Sequence, residues 1–172
     1  MARYGNSNFI DPRHVPWLTA GFSLAALCMA WLAQYGFGLA PCHLCLLQRD
    51  AYWAAIALSF FAIVLGLRDR QSTRSTRRLA VALIGIAFLA GTGIALYHVG
   101  VEQNWWEGAG GCVGGGISGL SGADLEAAIM NAPVTRCDDI AFEVFGISMA
   151  GYNALLSLAL AAFAFRGAAR TR

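Results

Sequence analysis

The chain has 172 residues, 58% of them hydrophobic and only 13% charged, with a net charge of +2 and a mean hydropathy of +0.55. This composition is too apolar for an ordinary soluble domain of that size and points to a membrane protein. No nucleic-acid partner is expected.

Four apolar runs follow in order, at about 15–37, 46–67, 79–101 and 145–165. Each is close to the roughly 20 residues a helix needs to cross the hydrocarbon core. The runs are continuous and not alternating, which excludes a barrel. The expected fold is an all-α membrane protein, a single domain over residues 1–172 built as a four-transmembrane-helix bundle.

The first run follows Arg3 and Arg13. Gly38 and Ala40 are spaced like a cleavage site, and "LAPC" resembles a lipoprotein box. The run is longer than a signal-peptide core and three more spans follow it, so an uncleaved first helix is expected. A short connector, 38–45, carries Cys42 and Cys45 to the start of the second run. The next connector, "RDRQSTRSTRR", is short, polar and basic. The third run ends near His98, and a long connector, 102–144, leads into the fourth, which Arg166, Arg170 and Arg172 follow.

Lysine is absent, so arginine sets the orientation. Ten arginines fall at the termini and middle connector, and only Arg49 and Arg136 fall on the other side. By the positive-inside rule both termini are cytoplasmic and the cysteine-bearing connectors face outward. A bacterial inner membrane is assumed, with Cys42, Cys45, Cys112 and Cys137 in the oxidising periplasm. Cys28, amid alanine and leucine in the first run, reads as packing.

The long connector holds "GAGGCVGGGISG", which surrounds Cys112 with glycine and suits a mobile arm. Its G-x-G-x-x-G from Gly114 to Gly119 lacks a strand or βαβ context and reads as a chance match. "SGADLEAAIMNA" predicts a short helix capped by Ser121. Trp105 and Trp106 read as an interfacial aromatic anchor, and Ser148 and Asn153 as hydrogen-bonding groups between helices.

A C-x-x-C at a helix start favours a thiolate, because unpaired backbone N–H groups and the helix dipole stabilise the anion. His43 adds to this when protonated. Leu46 stands where a c-type haem site needs histidine. Four zinc-binding thiols are disfavoured in an oxidising compartment, so no metal is expected. Redox chemistry is the better reading. Arg49 stands one turn from Cys45 on the same face. It either snorkels or pairs with Asp50, or it donates to a ligand oxygen such as a quinone carbonyl. Cys112 and Cys137 suit thiol–disulfide exchange with the first pair better than a static staple.

"PCHLCLLQR", "YHVGVEQNWWEGAGGC" and "RCDDIAFEVFGISMAGYN" together resemble the DsbB family of bacterial disulfide-forming membrane proteins. The resemblance implies a four-helix bundle holding ubiquinone or menaquinone near its outer face, and a soluble thioredoxin-like partner, DsbA. It implies redox-active disulfides Cys42–Cys45 and Cys112–Cys137. The reduced partner attacks the loop disulfide to form a mixed disulfide at Cys112. Cys137 exchanges with Cys42, Cys45 is released as a thiolate, and two electrons pass to the quinone. Arg49 matches the family arginine beside the quinone, His98 a quinone-site histidine, and Met149 a pocket residue. Phe142 stands where the family often has tryptophan. Two alternatives are a tetraspan scaffold or small transporter with structural disulfides, and an enzyme of the vitamin K epoxide reductase type. The early position of C-x-x-C argues against the second.

Overall fold

The computed structural model describes residues 13–67, 71–108, 122 and 136–170. Helix α1 spans Val15–Trp31 with Pro16 in its first turn, where the missing N–H costs nothing. It runs on into one π turn, Leu32–Gly36, and the chain then bends at Gly38, whose φ is 69°. Helix α2 covers His43–Leu67 and α3 covers Gln71–Glu102. A hairpin of β1 (Glu143–Val144) and β2 (Ile147–Ser148) leads into α4, Met149–Arg170. Stretches of 22, 25, 29 and 22 residues in the four helices are long and apolar enough to cross a membrane. The protein is a four-span helical membrane protein.

The buried clusters give the helix directions. At one end Val15, from the start of α1, meets Ala62 late in α2, Ala80 and Val81 early in α3, and Ala168 at the end of α4. In the middle Leu27, Tyr52, Ala55, Ile84, Phe88, Leu160 and Ala164 pack together. At the far end Cys42, Leu44 and Val101 close over Cys137. Consecutive helices are therefore antiparallel. Helix α3 is central, packed on α2 and α4, while α1 lies chiefly against α2.

Close approach relies on small and hydroxylic residues, as expected where lipid supplies no hydrophobic drive between helices. A Cβ added at Gly91 would lie 2.9 Å from that of Ala51 on α2. Thr19 and Ser59 share a 2.9 Å hydrogen bond between α1 and α2. Large apolar side chains such as Trp17, Phe22, Phe60, Phe61 and Leu155 face outward. Cys28, read from the sequence as packing, is exposed on this outer surface.

Helix α3 ends in a Schellman motif. Asn104, at φ 55°, donates to Val101 O at 3.0 Å, and Trp105 donates to Gly100 O at 2.8 Å. Trp106 folds back over Gly100, stacks on Tyr97 and donates to Tyr97 O at 3.0 Å. It therefore caps the helix, while Trp105 stays exposed.

Helix α4 begins at Met149, later than the apolar run from Phe145 suggests. Phe145 and Gly146 both have positive φ, 52° and 75°, which makes a type I′ turn and pairs Glu143 with Ser148. Ser148 then caps α4, its Oγ accepting from Gly151 N at 3.2 Å. Cys112, the glycine cluster and the helix expected after Ser121 lie outside the described residues, apart from Gly122.

Candidate functional site

The end of the bundle where α1 turns into α2 encloses a cavity of about 420 Å³. Cys42, Cys45, Arg49, His98 and Met149 all line it. Cys42 directly precedes α2 and Cys45 lies in its first turn, so the C-x-x-C spacing brings the sulfurs to 2.8 Å as thiols. Cys42 donates its proton to Cys45 Sγ, and Cys45 N–H donates to Cys42 Sγ at 3.2 Å. The first of these bonds, with burial, pushes the Cys42 thiol up to about 12, while a hydrogen bond from His98 pulls the other way. Cys137 is buried in the same cluster as Cys42. His43 is exposed and does not line the cavity.

Arg49 is half-buried. It donates through Nη1 to Gln34 Oε1 at 2.7 Å and through Nη2 to Ala30 O at 3.4 Å. Ala30 lies near the end of α1 and Gln34 in the π turn that follows it. No ion pair joins Arg49 to Asp50 among the described residues.

His98, buried on α3, approaches Cys42 Sγ with Nε2 at 3.5 Å and meets Gln48 Nε2 with Nδ1 at 2.9 Å. Its Nε2 is also 3.8 Å from Glu102 Oε1, and Ser148 donates to the second oxygen of that buried carboxylate. Gln48 Oε1 accepts from Asn153, whose own oxygen accepts from Tyr52. Asn153 thus bonds across helices as its sequence position suggested. Gln34, Gln48, Tyr52 and Glu102 were not singled out from the sequence. Two of them carried a local signal: Gln48 is one turn from Cys45, and Glu102 is one turn from His98.

On the rim, Arg136 and Asp138 form an exposed ion pair at 2.6 Å. Each partner's hydrogen bond to the other raises the arginine pKa and holds the aspartate below its ordinary range. Arg136 also lines the cavity mouth.

The site thus joins a close dithiol to a ligand-sized cavity whose walls are apolar except for a few directed polar groups. Disulfide chemistry is what such a site can do, and comparison with known proteins agrees. The family profile described as Disulfide bond formation protein DsbB matches residues 12–166. The chain is 36% identical over 94 residues to Disulfide bond formation protein B of Herminiimonas arsenicoxydans, covering 55% of each chain. It is 28% identical over 150 residues to the protein of the same name from Aromatoleum aromaticum, covering 81% of each. It is also 30% identical over 143 residues to the protein RP370 of Rickettsia prowazekii, covering 82% of this chain and 78% of that one. No solved structure matches at a comparable level. A paired thiol set in a four-span bundle and a family match over most of the chain lead to one assignment: the chain belongs to the DsbB family of disulfide-bond-forming membrane oxidoreductases.

Proposed function

We propose that the protein reoxidises a DsbA-like periplasmic thiol oxidase and passes the electrons to a membrane quinone, ubiquinone or menaquinone. The observation that carries this reading is the convergence of Cys42, Cys45, Arg49, His98 and Met149 on one cavity of about 420 Å³. That volume lies within the roughly 300–1,000 Å³ of small-molecule sites. Apolar walls from α1 and α4 suit a quinone ring, Arg49 supplies N–H donors for a carbonyl oxygen, and His98 lines the same cavity beside Cys42. A bound quinone supplies a two-electron acceptor.

The chain's own residues do the rest. Arg49 presents a fixed positive charge where negative charge develops. Cys42 and Cys45 close to a disulfide, and Cys137, buried in the same cluster as Cys42, is the next sulfur in the relay. Cys112 is the residue the partner attacks, through the pair Cys112–Cys137. The arginine asymmetry supports cytoplasmic termini and a periplasmic site in the inner membrane.

Purified protein supplied with reduced DsbA should reduce quinone at a measurable rate. Cys112→Ser should abolish that turnover while leaving the protein folded and inserted. Near-normal turnover in Cys112→Ser would leave the loop cysteines a structural role and end the relay proposal.

A further inference from the structure

The buried polar groups around His98 have a direction as well as a pattern. Tyr52 Oη donates to Asn153 Oδ1, and Ser157 Oγ reaches the same oxygen at 3.5 Å. With its oxygen so engaged, Asn153 turns its Nδ2 to Gln48 Oε1. Gln48 is left to present Nε2 to His98 Nδ1 at 2.9 Å. A carboxamide nitrogen only donates, so Nδ1 accepts and the ring proton sits on Nε2.

The other side of the ring requires the same arrangement. Nε2 faces Cys42 Sγ at 3.5 Å and Glu102 Oε1 at 3.8 Å. Cys42 commits its own proton to Cys45, and Ser148 donates to the far oxygen of Glu102. Both neighbours turn lone pairs toward Nε2, and a bare nitrogen would oppose them with another.

We propose that Gln48, Asn153 and Tyr52 are positioning residues that hold His98 as a neutral imidazole with its Nε2–H directed at Cys42. The catalytic consequence rests on the function proposed above. Oxidising the Cys42/Cys45 dithiol breaks two S–H bonds, forms one S–S bond, and delivers two electrons and two protons to the quinone. Cys42 must therefore release its proton, and a fixed donor against its sulfur stabilises the thiolate that results. An imidazole free to turn its lone pair to that sulfur would give no such help. The lock has a second effect. Cys42, Cys45 and His98 have ligand atoms within 4.8 Å of one another, but a protonated Nε2 has no lone pair for a cation.

Asn153→Asp tests this by reversing the chain without touching His98. Its carboxylate only accepts, so Gln48 turns its Nε2 to Asp and its Oε1 to His98, which must then carry its proton on Nδ1. In full-length protein labelled with ¹⁵N-histidine, the wild type should show the Nε2–H tautomer at His98, identified by its loss in His98→Gln. Asn153→Asp should show Nδ1–H, with quinone turnover down roughly tenfold, the scale of one lost hydrogen bond to a charged group. Gln48→Met removes the carboxamide without adding charge and leaves Cys42 and Glu102 facing Nε2, so the His98 ring should stay Nε2–H. That result shows that Asn153→Asp acts by reversing Gln48 and not by loosening the site. A wild-type ring protonated on Nδ1, or an Nε2–H ring that persists in Asn153→Asp, overturns the proposal. If the wild type reduces no quinone, the proposed function fails, and the tautomer is still decided by the spectra alone.

Discussion

Arg49 uses both arms of its guanidinium, one on the Gln34 carboxamide and one on the Ala30 carbonyl. A side chain that merely reached for headgroups would have no use for such a fork. Lysine keeps the charge but is a single point donor, so Arg49→Lys should still raise the quinone KM, by roughly tenfold for one lost charged hydrogen bond. Normal expression with unchanged KM and turnover in both Arg49→Lys and Arg49→Gln would make Arg49 an anchor. Cys42 allows a prediction in pH. Its raised pKa favours the neutral thiol in the folded dithiol form, so the associated stability is present below the ordinary value of 9.0 and is lost as pH rises toward about 12. In the same window the thiolate fraction climbs roughly tenfold per pH unit, where an ordinary thiol has levelled off. Alkylation of Cys42 by iodoacetamide should therefore keep accelerating between pH 9 and 11. A plateau just above pH 9 would show that Cys45 does not hold the proton in place.

At the scale of elements, the start of α4 depends on one hydroxyl. Ser148 accepts from Gly151 N to cap the helix and donates to Glu102 on α3. Alanine there removes the cap, worth about 1 kcal/mol, and leaves a buried carboxylate oxygen without its donor, worth another ~1–3 kcal/mol. Ser148→Ala should lower thermal stability in detergent by the sum of these, with Ser148→Thr close to wild type. An unchanged midpoint in the alanine variant would mean that neither bond stabilises the fold. The hairpin before this cap could not be read from the sequence, because Val144, Phe145 and Ile147 extend the apolar run on both sides of Gly146. Gly146 was the one signal, and a phenylalanine at φ 52° beside it is a conformation that local preference argues against.

For the whole molecule, the four helices were legible because bilayer thickness fixes their length and lipid fixes their composition. The dithiol and Arg49 were legible because C-x-x-C and the i, i+4 step act within one helix. The ring of polar groups was not, because Gln34, Gln48, His98, Glu102 and Asn153 come from four helices and meet only through packing. The same packing leaves Cys137 only 1% exposed, closed in with Cys42, Leu44 and Val101. That burial acts as a filter. Small soluble thiols, which would short-circuit an oxidising relay by reducing it from outside, have no approach to the Cys137 sulfur. If the proposed thioredoxin-fold partner docks here, it is larger still, and the proposed relay has its electrons enter at another cysteine, Cys112, before Cys137. In the proposed relay the order of exchange is therefore set by shielding, and the electrons leave Cys137 for Cys42 without the Cys137 sulfur meeting bulk water.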